Sequence, residues 1–428
     1  MGAPGTAARR AALDILRATR SGQLFDAARD RALSGLNERD ARLAHEIAAG
    51  VLRHRRSLDA HVRRFVTDRW RSTPANLRDV LRIGAYQLLA LDRVPPHAAV
   101  GTAVDLAKAC HGAKSGAFVN AVLRGLARAK PKPRLDAAPD PTRGGRTVAQ
   151  LLAERYSHPD WLVARWLGAF GRGATERLLE HHGRRPPLHL QPVRWTRDDL
   201  VAAAKAAALE VELPAGTSGL LVRARTPQSV PGYREGAFVV QGIGQAQLVG
   251  SVSLTPGSRV WDACAAPGGK TVALARTHAV VASDRSRVRL ARLRETLRRT
   301  ASEVLVMVAD ARHSPLRPGA VDVVWLDAPC SATGTIAQHP DARWRITPRR
   351  LEQLAGVQAR LLDAVAPVPA PGGTVVYTTC SLEREENEAQ VNRFLRAHPE
   401  YRRDQPDVFV FPPDSGADGG YLAVLRRA

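Results

Sequence analysis

Apolar positions repeat at the helical period through the first third of the chain. Leu43, Ile47 and Val51 fall on one face of a helix that Asn37 can cap, and Leu77, Leu81, Gly84 and Leu88 mark a second stripe. No alternating run interrupts residues 8 to about 130, which predicts an all-helical domain. Arg53, Arg55, Arg56, Arg63 and Arg64 sit off the apolar stripe, as a solvated face or a face for a polyanion. From 130 to about 146 the run K-P-K-P-R-L-D-A-A-P-D-P-T-R-G-G-R has no period, and its proline, glycine and charge predict a linker. A second helical stretch follows around 151–179, with Trp161 and Trp166. Residues 186 to about 236 then mix a short strand signal, an alanine-rich helix at 200–208 and turns. That mixture predicts a small α+β module.

From Thr255 onward strands alternate with helices. Strands are expected at 259–264, 280–284, 304–309, 321–327 and 374–379, and tail strands at 408–411 and 421–425. Helices are expected at 270–278, at 288–300 (strongly arginine-rich) and at 348–365, the last capped by Thr347 with Pro348 at its first position. Repeated strand–helix units predict a mainly parallel sheet covered on both faces. Ligands of such sheets bind beyond the C-terminal ends of the strands.

The strand ends carry the chemistry. The first strand runs into Cys264-Ala265-Ala266-Pro267-Gly268-Gly269-Lys270-Thr271, where small residues let a ligand approach the backbone beside a helix N-terminus. A phosphate-loop reading fails, because G-x-x-x-x-G-K-T needs glycine at the position of Cys264. The second strand ends in Asp284, about 20 residues after Asp262, a spacing suited to ribose hydroxyls. Asp310 ends the third strand and Asp327 the fourth. One such aspartate is ordinarily a cap or turn residue; three at successive strand ends around a glycine loop predict an adenosine-type cofactor site. Asp327-Ala328-Pro329-Cys330-Ser331 and Thr378-Thr379-Cys380-Ser381 close the fourth and fifth strands. A lone cysteine is by default a buried packing residue, which suits Cys264. Two Cys-Ser pairs at neighbouring strand ends are poorly explained that way.

Charge adds a partner. Among 428 residues, 63 Lys and Arg stand against 41 Asp and Glu, a net +22 that favours nucleic acid. The length predicts two or three domains. No apolar run approaches the roughly 20 residues of a membrane span, no signal peptide opens the chain, and Met1-Gly2-Ala3-Pro4-Gly5-Thr6 fits the myristoylation pattern only by accident. Cys110, Cys264, Cys330 and Cys380 lie far apart without a C-x-x-C pair, which excludes a disulfide framework, argues against zinc or any other metal, and suits a reducing cytoplasm.

The run Ala265–Thr271, D-x-P-C-S at Asp327–Ser331 and T-C-S at Thr379–Ser381 resemble the NOL1/NOP2/Sun (Fmu) family of RNA cytosine-5 methyltransferases. The resemblance continues in His339-Pro340-Asp341-Ala342-Arg343-Trp344, in Glu385-Glu386-Asn387-Glu388 and in Asp418-Gly419-Gly420-Tyr421. Pro95-Pro96-His97-Ala98-Ala99-Val100 and Val119-Asn120-Ala121-Val122-Leu123-Arg124 are similar to the NusB-like RNA-binding domain of the family's bacterial 16S ribosomal RNA members. The resemblance implies an all-α NusB-like domain over 1–130, a linker over 131–148, a small α+β RNA-binding module over 149–245 and a Rossmann-like α/β methyltransferase domain over 246–428. It implies S-adenosylmethionine held by Cys264, Ala265, Ala266, Pro267, Gly268, Gly269, Lys270, Asp284, Asp310 and Asp327. It makes Cys380 the nucleophile and Cys330 the aid to product release, with Asp327 also suited to the cytosine edge, in a cytoplasmic monomer acting on 16S rRNA. The chain departs from the family at His189-Leu190-Gln191, where Arg-x-Asn is usual, and at Gln241-Gly242, where Gln-Asp is usual. The alternatives are a tRNA cytosine-5 methyltransferase, a DNA cytosine methyltransferase, which would lack the T-C-S partner, and a non-catalytic RNA-binding or ribosome assembly factor.

The reaction explains the thiols. Carbon 5 of cytosine is too weak a nucleophile to take a methyl group unaided, and a thiolate added at carbon 6 activates it. A free thiol with a pKa of about 8.5 is mostly protonated at neutral pH. Cys380 lies just before an expected helix whose N-terminal dipole favours the thiolate, an effect that Glu383, Glu385 and Glu386 oppose. The target base must leave its stack to reach such a site.

Overall fold

The computed structural model describes residues 5–66, 70–129, 145–224 and 226–428; most of the expected linker lies outside the described residues. Two compact units emerge, residues 1–184 with Ile336–Arg345, and residues 185–335 with 346–428.

Among its described residues the first unit is built of helices joined by turns, as its periodicity predicts. Its helices are α1 (Thr6–Arg20), α2 (Phe25–Leu33), α3 (Glu38–Arg53), α4 (Arg55–Arg63), α5 (Ala75–Ala90), α6 (Pro96–His111), α7 (Ala113–Arg128), α8 (Val148–Arg155) and α9 (Asp160–Gly183). Asn37 caps α3 by accepting from the Asp40 N–H at 2.9 Å. Ile47 and Val51 on α3, with Leu77, Leu81 and Leu88 on α5, are buried in one core with α1, α6 and α7. Gly84 is glycine for a packing reason: a Cβ there would collide with Leu123 of α7. The helical stretch expected at 151–179 is broken twice. Pro159 starts a new helix after the α8 turn, and Gly171 interrupts α9 with φ of 75°.

A piece of chain from far downstream completes this unit. Residues 336–345, ending in the one-turn helix α14 (Ala342–Arg345), supply Arg343, which is fully buried. Its guanidinium donates to the backbone carbonyls of Ser157 at 3.2 Å and His182 at 2.9 Å, with Arg53 O and Tyr156 O at the edge of reach. Trp344 Nε1 donates to Leu52 O at 2.7 Å, and Arg55 stacks over the Trp344 ring. Beside Arg343 lie two fully buried imidazoles. His158 Nδ1 donates to Tyr156 O at 2.7 Å, so its Nε2 must accept from His182 Nδ1–H at 3.2 Å. Burial first, then the Arg343 charge, pushes both histidines well below their ordinary pKa.

These contacts correct one expectation. Arg53, Arg55 and Arg56 do not form a free cationic face, because Arg53 donates to Ala337 O, Arg55 covers Trp344, and Arg56 binds His158 O and Asp160. Arg63 and Arg64 are exposed.

The second unit holds two sheets. The smaller is antiparallel in the order β2-β3-β1-β4, from β1 (Leu188–Pro192), β2 (Val211–Glu212), β3 (Leu220–Val222) and β4 (Phe238–Val240), with α10 (Arg197–Ala206) capped by Thr196. A short helix, α11 (Ile243–Gly250), leads to the larger sheet. There β5 (Arg259–Asp262), α12 (Gly269–Ala275), β6 (Ala279–Asp284), α13 (Arg287–Thr300), β7 (Leu305–Val308), β8 (Val321–Asp327), α15 (Pro348–Val365) and β9 (Pro369–Thr379) give the parallel order β9-β8-β5-β6-β7. After α16 (Glu388–Ala397), the strands β10 (Tyr401–Arg403), β11 (Val408–Val410) and β12 (Gly420–Arg427), with α17 (Pro412–Ser415) between the last two, complete the chain. The β12 strand runs antiparallel to β9, and β10 and β11 run antiparallel to β12. The sheet is therefore mixed, parallel where the strand–helix alternation predicts it. Its order reverses between β5 and β8, the crevice where such sheets bind ligands.

Candidate active site

Four strand ends converge at that crevice. On β8 and β9, Asp327 is directly opposite Thr378, so the residues that follow each strand leave the sheet side by side. Asp327 accepts from Thr378 Oγ1 at 3.0 Å and from Lys270 Nζ at 2.7 Å. Burial alone would lower the Lys270 pKa, but Asp327 outweighs it and holds the ammonium firmly protonated. Just downstream of these strand ends stand the thiols, with Cys330 Sγ and Cys380 Sγ 3.2 Å apart. The contact with Cys380, followed by burial, the negative charge that Cys380 can carry and the Glu386 carboxylate, raises the Cys330 pKa well above its ordinary value. Either thiol can donate to the other across that contact, and the Cys330 proton is held more tightly than in a free thiol.

Around the first strand end, Asp262 is buried beneath the glycine loop, accepts from Thr271 Oγ1 at 2.6 Å, and is pushed up to about 7 by burial. Burial also raises the Cys264 thiol, with Asp284, Asp262 and Asp327 adding to it, which suits the structural reading of that cysteine. Gly268 takes φ of 109°, and a Cβ there would run into Leu293 of α13, so only glycine allows this turn into α12. Asp284 uses one oxygen to accept from Ser286 N–H at 2.8 Å. Its other oxygen receives no hydrogen bond, although Arg289 Nη1 stands 3.2 Å away. Asp310 is gripped on both oxygens by Arg312, whose hydrogen bonds pull its pKa down to about 2. Among the described residues no group of His, Cys, Asp and Glu could hold a metal ion.

The helix expected just after Cys380 begins later. A three-residue turn (Arg384–Glu386) intervenes and α16 starts at Glu388, so its dipole does not act on the thiol. The intervening residues fold inward instead. Glu386, fully buried, accepts from Ser331 N–H, from the hydroxyls of Ser331 and Ser381, and from Gln358 Nε2. Asn387 accepts from Thr379 Oγ1 and donates to Ser381 O. The sequence marks Glu386 and Asn387 only as members of the Glu385–Glu388 motif, with Glu386 opposing the thiolate, and leaves Gln358 unassigned. The available signal was an acid followed by an amide a few residues past a strand-end thiol.

The unusual residues of the small sheet have structural work. His189 is buried, donates from Nδ1 to Gln241 O at 2.7 Å and meets Thr217 Oγ1 with Nε2 at 3.2 Å. Gln191 and Gln241 line a cleft of about 230 Å³ with Ser218 and Arg276. Gly242 precedes α11 without a capping side chain, and the cap comes from elsewhere: buried Asp418 accepts from Gly244 N–H at 2.9 Å. A Cβ on residue 242 would collide with that carboxylate.

Comparison with known proteins adds the following. The family described as 16S rRNA methyltransferase RsmB/F matches residues 251–423, and the NusB family matches residues 6–128. The probable ribosomal RNA small subunit methyltransferase B of Synechocystis sp. is 34% identical over 98% of this chain and 99% of its own length. Ribosomal RNA small subunit methyltransferase B of Erwinia tasmaniensis is 31% identical over 97% of each chain. Among solved structures, that of PH0851 superposes over 100% of both chains with a TM-score of 0.83 at 23% identity. That of NSun6 from Pyrococcus horikoshii, with SFG, covers 62% of this chain and 97% of its own at a TM-score of 0.55 and 18% identity.

Proposed function

The chain belongs to the 16S rRNA methyltransferase RsmB/F family, and on that premise we propose that it methylates carbon 5 of a cytosine in 16S rRNA with Cys380 as nucleophile. The observation that carries the chemistry is the pair of thiols 3.2 Å apart at adjoining strand ends beside the glycine loop. S-adenosylmethionine is the fitting cofactor, supplying an electrophilic methyl group. Residues 264–270 would flank it, and Asp284, whose second oxygen is ion-paired with Arg289 but receives no hydrogen bond, would accept from ribose hydroxyls. Asp310, already held by Arg312, is the less available of the strand-end acids. Asp327, steadied by Lys270, would face the cytosine edge. The relatives' names favour ribosomal RNA over transfer RNA. Among the described residues no helix is long and apolar enough to cross a membrane, and a monomer in the cytoplasm is the setting we infer.

The thiols divide the work as follows. Cys380, as thiolate, forms a bond to carbon 6 and raises electron density at carbon 5. That bond discharges the sulfur whose contact and charge helped to keep the proton on Cys330. Once carbon 5 is methylated, Cys330 can lose its proton to solvent and then take the proton from carbon 5. The C–H electron pair becomes the ring double bond and expels Cys380 as thiolate. Both cysteines return to their starting states, and one proton is released, as the transfer of a methyl from a sulfonium to carbon requires.

Substituting each cysteine tests this reading. Cys380→Ala should form no covalent bond to RNA, whereas Cys330→Ala should attack and methylate, then accumulate an adduct that survives denaturing electrophoresis. The double variant should show none. An adduct with Cys380→Ala and none with Cys330→Ala would reverse the roles. Bisulfite sequencing of RNA from a deletion strain would identify the target, and no lost 5-methylcytosine in 16S rRNA would overturn the substrate.

A further inference from the structure

The residues after both thiols are fastened to one acid. Ser331, which follows Cys330, gives Glu386 its N–H at 2.9 Å and its hydroxyl; Ser381, which follows Cys380, gives its hydroxyl to the same carboxylate. The two serine oxygens are themselves 3.0 Å apart. Gln358 of α15 closes the arrangement, donating Nε2 to Glu386 and to Pro329 O, each at 3.0 Å. Glu386 is held in turn, since its own carbonyl accepts from Tyr377 Oη at 2.6 Å. Four donors from three segments thus meet two oxygens in a site closed to water. All four contacts donate to the carboxylate and favour its ionised form, while burial outweighs them and holds its pKa above the usual carboxylate value. Taking a carboxylate out of water is costly, the four donors offset that cost, and the reaction above does not consume the group.

We propose that Glu386 is a positioning residue for the two-thiol reaction, a single buried carboxylate that fixes both Cys-Ser corners at one spacing and keeps Cys330 within donor reach of Cys380. The inference rests on the two-cysteine reading and adds the residue that sets its geometry. It also has an electrostatic side. The negative charge next to Ser331 opposes ionisation of Cys330, so the same acid that spaces the thiols also helps to decide which of them keeps its proton.

The linkage and alkylation measurements use the full chain without RNA, so their outcome is independent of which thiol attacks. The oxidant diamide, a diazene, takes up the two electrons and two protons lost when two thiols join. The rate at which the Cys330 and Cys380 peptides become linked, read by mass, therefore measures how often the sulfurs meet. Glu386→Gln should slow that linkage at least tenfold, because an amide NH2 must face one of the four donors. The variant should also shift the pH profile of Cys330 alkylation to lower pH, which a purely structural role would not do, and lower kcat for RNA methylation with KM little changed. Ser331→Ala and Ser381→Ala leave the acid in place and guard against a variant that fails to fold. Each should slow linkage in part, and the pair together about as much as Glu386→Gln. Wild-type linkage rates in the serine double variant, or an unmoved Cys330 pH profile in Glu386→Gln, would overturn the proposal. Failure of the two-cysteine reading would appear separately, as an adduct retained by Cys380→Ala.

Discussion

Acid should loosen the helical unit through His158 and His182, by an amount the structure lets one calculate. Both imidazoles are fully buried, both are held neutral by burial and by Arg343, and each ring keeps its Nδ1 proton in a defined hydrogen bond or ring contact. In the unfolded chain each returns to a pKa near 6.5. Below that pH the unfolded state binds two protons that the folded state refuses, so stability is full above pH 6.5 and falls as the pH falls. Between pH 7.5 and 5.5 the loss is about 1.4 kcal/mol per histidine, or about 2.7 kcal/mol for the pair. His182→Asn separates this from every other titration. The asparagine amide sits where Nδ1 does and can still donate to His158 Nε2, but it cannot bind a proton. Urea unfolding at the two pH values, followed by exchange protection of α8 and α9 peptides, should show a constant loss of stability from the smaller side chain. On top of it, the pH-dependent part should be reduced by about 1.4 kcal/mol. An identical pH dependence in wild type and variant would refute the reasoning.

Three other outcomes follow from the site and its surroundings. Asp284→Ala should weaken S-adenosylmethionine binding, measured by calorimetry, by on the order of 1–3 kcal/mol through lost hydrogen bonds to a charged group. Gly242→Asp should lower the melting temperature, since the new carboxylate meets Asp418, at a cost of about 1–3 kcal/mol; adding Asp418→Ala should recover part of it by leaving the introduced carboxylate as the helix cap. Replacing exposed Arg63 and Arg64 with glutamate should weaken RNA binding and make its salt dependence shallower, by up to about one in slope for each lost phosphate contact; titrations at two salt concentrations would reveal it.

Much of this architecture was legible in advance, for physical reasons that differ by region. The strand at Val321–Asp327 and the helix at Pro348–Val365 lie where the apolar run and the Thr347-Pro348 cap place them. The convergence of Asp262, Asp284, Asp327, Cys330 and Cys380 follows from parallel strands, whose C-terminal ends must share one edge. What stayed hidden depends on contacts between residues distant in sequence. Only the Ser381 hydroxyl is local to Glu386, and the donors that draw the acid inward from elsewhere belong to Ser331 and Gln358. The arginines after α3 read as a free cationic face because their partners, Ala337 and Trp344, come almost three hundred residues later. Gly242 reads as a lost cap until Asp418 is found supplying one.

The late arrival of residues 336–345 has a consequence for biogenesis. A ribosome making roughly 5–20 residues per second completes α9 and then spends on the order of ten seconds on the strands that follow before Arg343 exists. Throughout that interval the carbonyls of Leu52, Ser157 and His182 lack the donors that the finished protein gives them. The nascent helices must hold their places with hydrated backbone where a guanidinium and an indole will later lodge. Folding of the amino-terminal half is in this sense a two-instalment process, its last piece delivered by the half that carries the thiols. A gene split after residue 184 would yield an amino-terminal fragment missing that keystone.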